Sequence, residues 1–333
     1  MTTRLRSAYG HTCEVNFDWA WCPSAPPAQA ADIRIHLGGL GRFGDDARIP
    51  RVLHGQRPQR DPARPPVVRV ERGDDGHFHF IYADGAEFAI DATGSEIFGV
   101  AGGELTEDDL VVYLQGPILG FALRLRGLTC LHASAVVVDG QAVAVAGTAG
   151  MGKSTTAAAF ARHGLEIVTD DVLALRDRAG SLEVLPGLPR ILLWPESVTT
   201  LFGHSDALPR IVSTWGKRYL DLTQRGCRFA REAVPLGAVY LLGDRLPADA
   251  APQITQLRGA SAAAWLLANT YANDFLDSRM RIEELAVLGR LATHVPIHVL
   301  RVPDDRQAVS VSCQAVIDHF SGRASTSRHV QSR

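Results

Sequence analysis

The chain has 333 residues, 46% hydrophobic and 21% charged, with a formal net charge of −2, a composition that suits a folded globular protein of about two domains. The near-neutral balance leaves none of the basic footprint that nucleic-acid binding requires. No stretch reaches the roughly 18 apolar residues of a membrane span, so neither nucleic acid nor a membrane is an expected partner. Two arginines near the start without an apolar run after them, and five scattered cysteines with no C-x-x-C pair, point to a cytoplasmic protein with reduced thiols.

Residues 1–68 are the least readable part, and proline-rich stretches at 23–27 and 58–66 suggest extended or irregular connections there. From Val67 the pattern predicts a β-meander over 67–71, 77–82 and 86–91, broken by turns at 74–76 and 83–85. His77 and His79 alternate with apolar residues, which predicts a solvated strand face in preference to a metal pair. Thr106 caps an acidic first turn, so a helix is expected to about Arg126, with a kink at Gly116-Pro117. Two short strands, 132–138 and 143–146, follow around an Asp139-Gly140 turn. Next come a helix over 153–163 ending at Gly164, and strands through 167–168, 172–175, 182–185 and 191–194. A short helix from Pro195 and a strand at 238–242 precede helices over 260–273 and 278–293, a strand at 297–302 and a last helix over 304–320. The remainder has few apolar residues and is expected to be disordered. Alternating strands and helices make this an α/β chain, with three expected parts: a β-rich N-terminal domain (1–104) that holds substrate or oligomerises, a catalytic domain (105–321) and a tail (322–333).

The segment Gly147-Thr148-Ala149-Gly150-Met151-Gly152-Lys153-Ser154 satisfies G-x-x-x-x-G-K-[ST] in full, with a strand before it and a helix, starting through Thr155, after it. Its glycines let backbone N–H groups converge on a phosphate, and the helix adds its positive end. Lys153 is expected at the β- and γ-phosphates, and the Ser154 hydroxyl on Mg²⁺. ATP and Mg²⁺ are therefore the expected cofactors. Only two of the 34 basic residues are lysines, Lys153 and Lys217, which marks Lys217 as a second place where a compact ammonium is needed.

Asp170-Asp171 ends the strand after this helix, on the crevice side of a parallel arrangement. One carboxylate can hold Mg²⁺ and the other can take a proton from an attacking hydroxyl or water. Residue type alone does not say which, nor whether transfer or hydrolysis results. His132, in Leu131-His-Ala-Ser-Ala135, reads by itself as structural.

Taken together, Leu131-His-Ala-Ser-Ala-Val, the loop 147–154 and Gly164-Leu-Glu-Ile-Val-Thr-Asp-Asp171 resemble the catalytic core of the bacterial HPr serine kinase/phosphorylase family. The resemblance implies a P-loop core akin to that of phosphoenolpyruvate carboxykinase, with Asp170 as general base supported by His132 and Asp171 on the Mg²⁺ side. The chain is more closely similar to the HPr-kinase-like proteins found with lasso-peptide biosynthesis genes. That likeness rests on Tyr113-Leu-x-Gly-Pro117, Pro186-Gly-x-Pro-Arg190, Leu193-Trp-Pro195 and Lys217-Arg218, and spans about 100–320. It implies phosphorylation of a serine hydroxyl, typically C-terminal, of a ribosomal precursor peptide. The Glu-[Ile/Val]-Arg-Gly segment of HPr kinases is not matched; Leu185-Pro-Gly-Leu-Pro-Arg190 stands near its place, which counts against a phosphorylase reaction and against HPr as substrate. Arg190, Lys217 and Arg218 are candidates to clamp phosphate charge instead. A carrier-protein or metabolite kinase and a regulatory ATPase are the alternative readings, and a homo-oligomer is compatible with all of them.

Overall fold

The computed structural model describes residues 3–26, 29–44, 51–58, 66–178, 180–224, 226–305 and 308–330. Among them the chain is a mixed α/β protein with two large sheets. It divides into two compact units, Met1–Cys130 with Tyr271–Glu284, and Leu131–Thr270 with Leu285–Arg333.

The first unit is built on eight strands: β1 (Arg4–Ala8), β2 (His11–Val15), β3 (Ile33–Leu37), β4 (Arg51–Arg57), β5 (Val68–Gly73), β6 (Phe78–Tyr82), β7 (Glu87–Ile90) and β8 (Glu96–Val100). Their order is β1-β2-β3-β8-β7-β6-β5-β4. The expected meander is present as β5 to β7, continued by β8. The first 68 residues, the least readable from sequence, contain β1 to β4. The signal was there in Ile33-Arg-Ile-His-Leu37, whose alternation becomes a buried-out-buried strand. The proline-rich stretches lie partly outside the described residues.

His77 and His79 correct the expected solvated face: both are buried, His77 against Asp75 and stacked on Phe43, His79 at 2.8 Å from Glu87. The Thr106 cap forms a reciprocal pair with Asp109 and starts α1 (Glu107–Tyr113). A wider π-type turn, Leu114–Ile118, takes up Pro117, whose missing N–H cannot serve a regular helix, and α2 (Leu119–Leu125) continues. Phe121 of α2 packs edge-on to Phe78 and Phe80, at 5.0 and 5.2 Å between ring centroids. This aromatic contact ties 105–130 to the N-terminal sheet, where the sequence had suggested a boundary at 104/105.

The second unit carries β9 (Thr129–Val138), β10 (Gln141–Ala146), β11 (Glu166–Thr169), β12 (Val172–Arg178), β13 (Ser181–Val184), β14 (Arg190–Leu193), β15 (Arg218–Asp221), β16 (Arg228–Phe229), β17 (Val234–Leu242), β18 (Gln253–Leu257) and β19 (Ile297–Arg301). Its helices are α3 (Lys153–Arg162), α4 (Pro195–Phe202), α5 (Gly259–Ala268), α6 (Ser278–His294), whose first turns belong to the first unit, and α7 (Val309–Val330). Asp139 and Gly140 both take positive φ, 50° and 76°, as a two-residue hairpin between β9 and β10 demands. β17 pairs in parallel with β10 and with β19, so their C-terminal ends emerge on one edge of the sheet. β10 alternates sides: Val143 and Val145 share a core with Phe160 of α3 and Cys313 and Val316 of α7. Ala142, Ala144 and Ala146 face Leu266 of α5 and Leu288 and Leu291 of α6. The small alanines let the helices approach closely, and the strand is buried on both faces. Helix α7 runs on to Val330, where order was not expected beyond 321; residues 331–333 lie outside the described ones. No helix among the described residues is long and apolar enough to cross a membrane.

Candidate active site

The loop 147–152 leaves β10 and enters α3 through Gly152. Gly150 and Gly152 have φ of +85° and +102°, a region closed to most side chains. Gly152 is also the N-cap of α3 and supplies no side-chain cap, so the first-turn N–H groups are left to whatever the loop encloses. Lys153 is buried, and its Nζ donates to the carbonyls of Gly147 (2.7 Å) and Thr148 (3.1 Å), folding the side chain back over the loop. Burial lowers its pKa; Asp171 and Asp170 oppose that shift and Lys217 adds to it. Arg245, just past β17, donates to the Met151 carbonyl at 2.9 Å and fastens the loop from the outside.

The hairpin register brings the next residues to the same place. Ala133 pairs with Ala146, the last residue before the loop, so His132 and Ser134, two apart on β9, share a face at that end. β11 is antiparallel to β9, with Thr169 opposite Ala135, and delivers Asp170 beside them. Ser134 Oγ donates to Asp170 Oδ1 at 2.6 Å, and the Ser154 hydroxyl favours the ionised form of this carboxylate. The Asp170 pKa is raised, chiefly by burial and further by Asp171, against the pull of Ser134, Ser154 and Lys217.

Asp171 is different in every respect. Its φ is +71°, and the Val172 amide donates to the Asp170 carbonyl at 3.0 Å, the pattern of a γ-turn of the rarer, strained hand. Its carboxylate is about half exposed and lies 3.1 Å from His132 Nε2. His132 is held from behind, its amide donating to the Asn269 carbonyl at 2.8 Å. His132 thus pairs with Asp171, and Ser154 acts on Asp170, whereas the resemblance had coupled His132 to Asp170 and placed Asp171 on the Mg²⁺ side. The γ-turn is the physical reason, since it separates the two side chains that a continuous strand would only have alternated.

Of the three expected cations, Lys217 is the one whose charge bears on Lys153 and Asp170, and its Nζ stands 5.1 Å from the centre of the ring of Trp194, which lines the cavity beside the loop. Arg218 instead has its guanidinium buried against Asp206 and the Ser205 carbonyl (3.3 Å). Arg190 is buried on β14, opposite Asp221 of β15.

A cavity of about 500 Å³ adjoins the loop, bounded by Gly150–Gly152, Thr155, Trp194, Glu196, Arg245 and Asp304 among others. Thr155 Oγ1 meets Ser197 Oγ at 2.8 Å on its wall. Ser134, Trp194 and Arg245 had not been singled out from the sequence. Ser134 was legible, two residues from His132 on a strand; Arg245 follows a strand parallel to β10, which only the sheet order reveals.

No protein-family model and no curated protein matches the chain. Among solved structures, it is similar to the HPr(Ser) kinase/phosphatase from Coxiella burnetii, with 16% sequence identity and a TM-score of 0.31, over 58% of this chain and 98% of that chain.

Proposed function

We propose that the chain is an ATP- and Mg²⁺-dependent kinase that phosphorylates a hydroxyl group. The observation that carries this reading is the division of labour between adjacent carboxylates at the mouth of the loop: Asp170 against the Ser154 and Ser134 hydroxyls, Asp171 against His132. Ser154 and Asp170 offer oxygen donors only, the set a small hard cation prefers, and Mg²⁺ commonly takes one or two protein oxygens with the phosphates supplying others. A bound Mg²⁺ supplies neutralisation of the β- and γ-phosphate charge. Lys153 adds a fixed ammonium from within the loop.

Asp171, half exposed and ionisable, is then the group that receives the acceptor's proton, with His132 orienting it through Nε2. This reverses the roles that the family resemblance assigns to Asp170 and Asp171, and follows the contacts. The Asp170 carboxylate is engaged by the Ser134 hydroxyl, whereas that of Asp171 is about half exposed on a strained turn beside His132, which places it well to meet an incoming substrate.

For the acceptor, the sequence resemblance supports a serine of a ribosomal precursor peptide, of the kind tailored in lasso-peptide biosynthesis. The test uses the full chain with γ-labelled ATP, Mg²⁺ and peptides ending in serine. Label on the serine is the expected result; free phosphate as the sole product would sink the kinase reading. Asp171→Asn, which preserves a residue tolerant of positive φ, is expected to lose about 10²–10⁴-fold in kcat while still binding ATP. Transfer at the wild-type rate would remove Asp171 as the base.

A further inference from the structure

Trp194 is a large aromatic left 55% exposed at the junction of β14 and α4. Surface indoles usually need a reason, and here one ring lies at two features of the site. It lines the cavity beside the loop, and the segment Gly216-Lys217 lies over it: a Cβ on Gly216 would come within 3.9 Å of the indole, and Lys217 Nζ stands 5.1 Å from its centre. The backbone there is pinned as well, since the Ile211 amide donates to the Lys217 carbonyl at 3.1 Å and Arg210 bridges to Arg218. A lysine has four rotatable bonds and a heavily hydrated head; an aromatic face within about 6 Å attracts the ammonium without neutralising it. Among the described residues no carboxylate forms an ion pair with Lys217, whereas Arg176, Arg178, Arg228 and Arg290 of this unit each have one.

We propose that Trp194 is a positioning residue that holds the Lys217 ammonium over the loop to meet the γ-phosphoryl group of the bound nucleotide. Held by a ring instead of a carboxylate, Lys217 keeps its full charge for the phosphate. Lys153 approaches from inside the loop and Lys217 from outside it, so the transferring group is met by two cations on different elements. The inference rests on the reading of the loop as a nucleotide site.

The test is nucleotide binding to the full chain with Mg²⁺, comparing ATP with ADP, and needs no knowledge of the acceptor. Lys217→Met should weaken ATP roughly three- to tenfold and leave ADP unchanged. Trp194→Leu should do the same, Trp194→Phe should restore most of the loss, and Trp194→Leu with Lys217→Met should be no worse than Lys217→Met alone. Equal weakening of ATP and ADP by Trp194→Leu would show that the indole is only a wall of the cavity and overturn the proposal, as would additive losses in the double variant. A wild-type chain that bound neither nucleotide would instead overturn the nucleotide reading itself.

Discussion

At the scale of single residues, Asp170 and Asp171 show how little sequence adjacency says about chemical environment. Asp170 follows the last residue of β11, and desolvation raises its pKa from the ordinary 3.8. The folded carboxylate therefore holds its proton more tightly than the unfolded one. Its ionised form costs stability above the folded pKa, and that cost fades as pH falls through the folded pKa towards the unfolded value. Asp170→Asn removes the charge and keeps an oxygen for Ser134. Without nucleotide or Mg²⁺, we expect this variant to melt about 2–4 °C higher than the wild type at pH 8, and with little difference near pH 4. Calorimetry across that range checks it; a gap independent of pH would mean that charge is not the cause. A carboxylate whose loss raises stability is one kept for function.

At the scale of elements, the hairpin β9–β10 does most to assemble the site. One strand feeds the loop, the other carries His132 and Ser134, and the tight Asp139-Gly140 turn fixes their register. Such local pairing was legible: the loop, both strands of the hairpin, α3 and its Gly164 end, and β11 were all expected from spacing and turn residues. The elements that were missed are short or depend on distant partners. β15 and β16 have four and two residues, and β18 alternates weakly and pairs only with β19. In the first unit a different element contact dominates. Arg124 of α2 and Glu284 of α6, 3% and 0% exposed, form an ion pair at 2.5 Å. Two ions are costly to bury, and a lone one more so. Arg124→Leu should lower unfolding free energy by about 3–5 kcal/mol, and Arg124→Leu with Glu284→Leu should recover most of that in a urea titration. Equal losses in the single and double variants would show that shape, not charge, matters at this place.

At the scale of the whole molecule, the chain crosses between units at Cys130/Leu131, Thr270/Tyr271 and Glu284/Leu285. The segment 271–284 therefore belongs with the N-terminal sheet although it lies far along the sequence; Phe275, 3% exposed, packs on Phe80 at 5.6 Å. A fragment spanning 131–333 carries this segment without its sheet and carries Glu284 without Arg124. We expect it to melt broadly, without the cooperative heat-capacity peak of the full chain; a sharp transition would show that 271–284 is dispensable to the rest.

By itself the sequence determined the glycine-rich loop, the helix behind it, the paired aspartates and the α/β character, because each is written in neighbouring residues whose backbone demands are local. It did not determine which aspartate faces which partner, that Arg218 is spent on Asp206, or that Trp194 stands beside Lys217. Those depend on strand register, on a turn forced into positive φ at Asp171 and on segments twelve or more residues apart meeting in space. Only the folded chain fixes such distances, because no local preference of the residues involved distinguishes one pairing from the other.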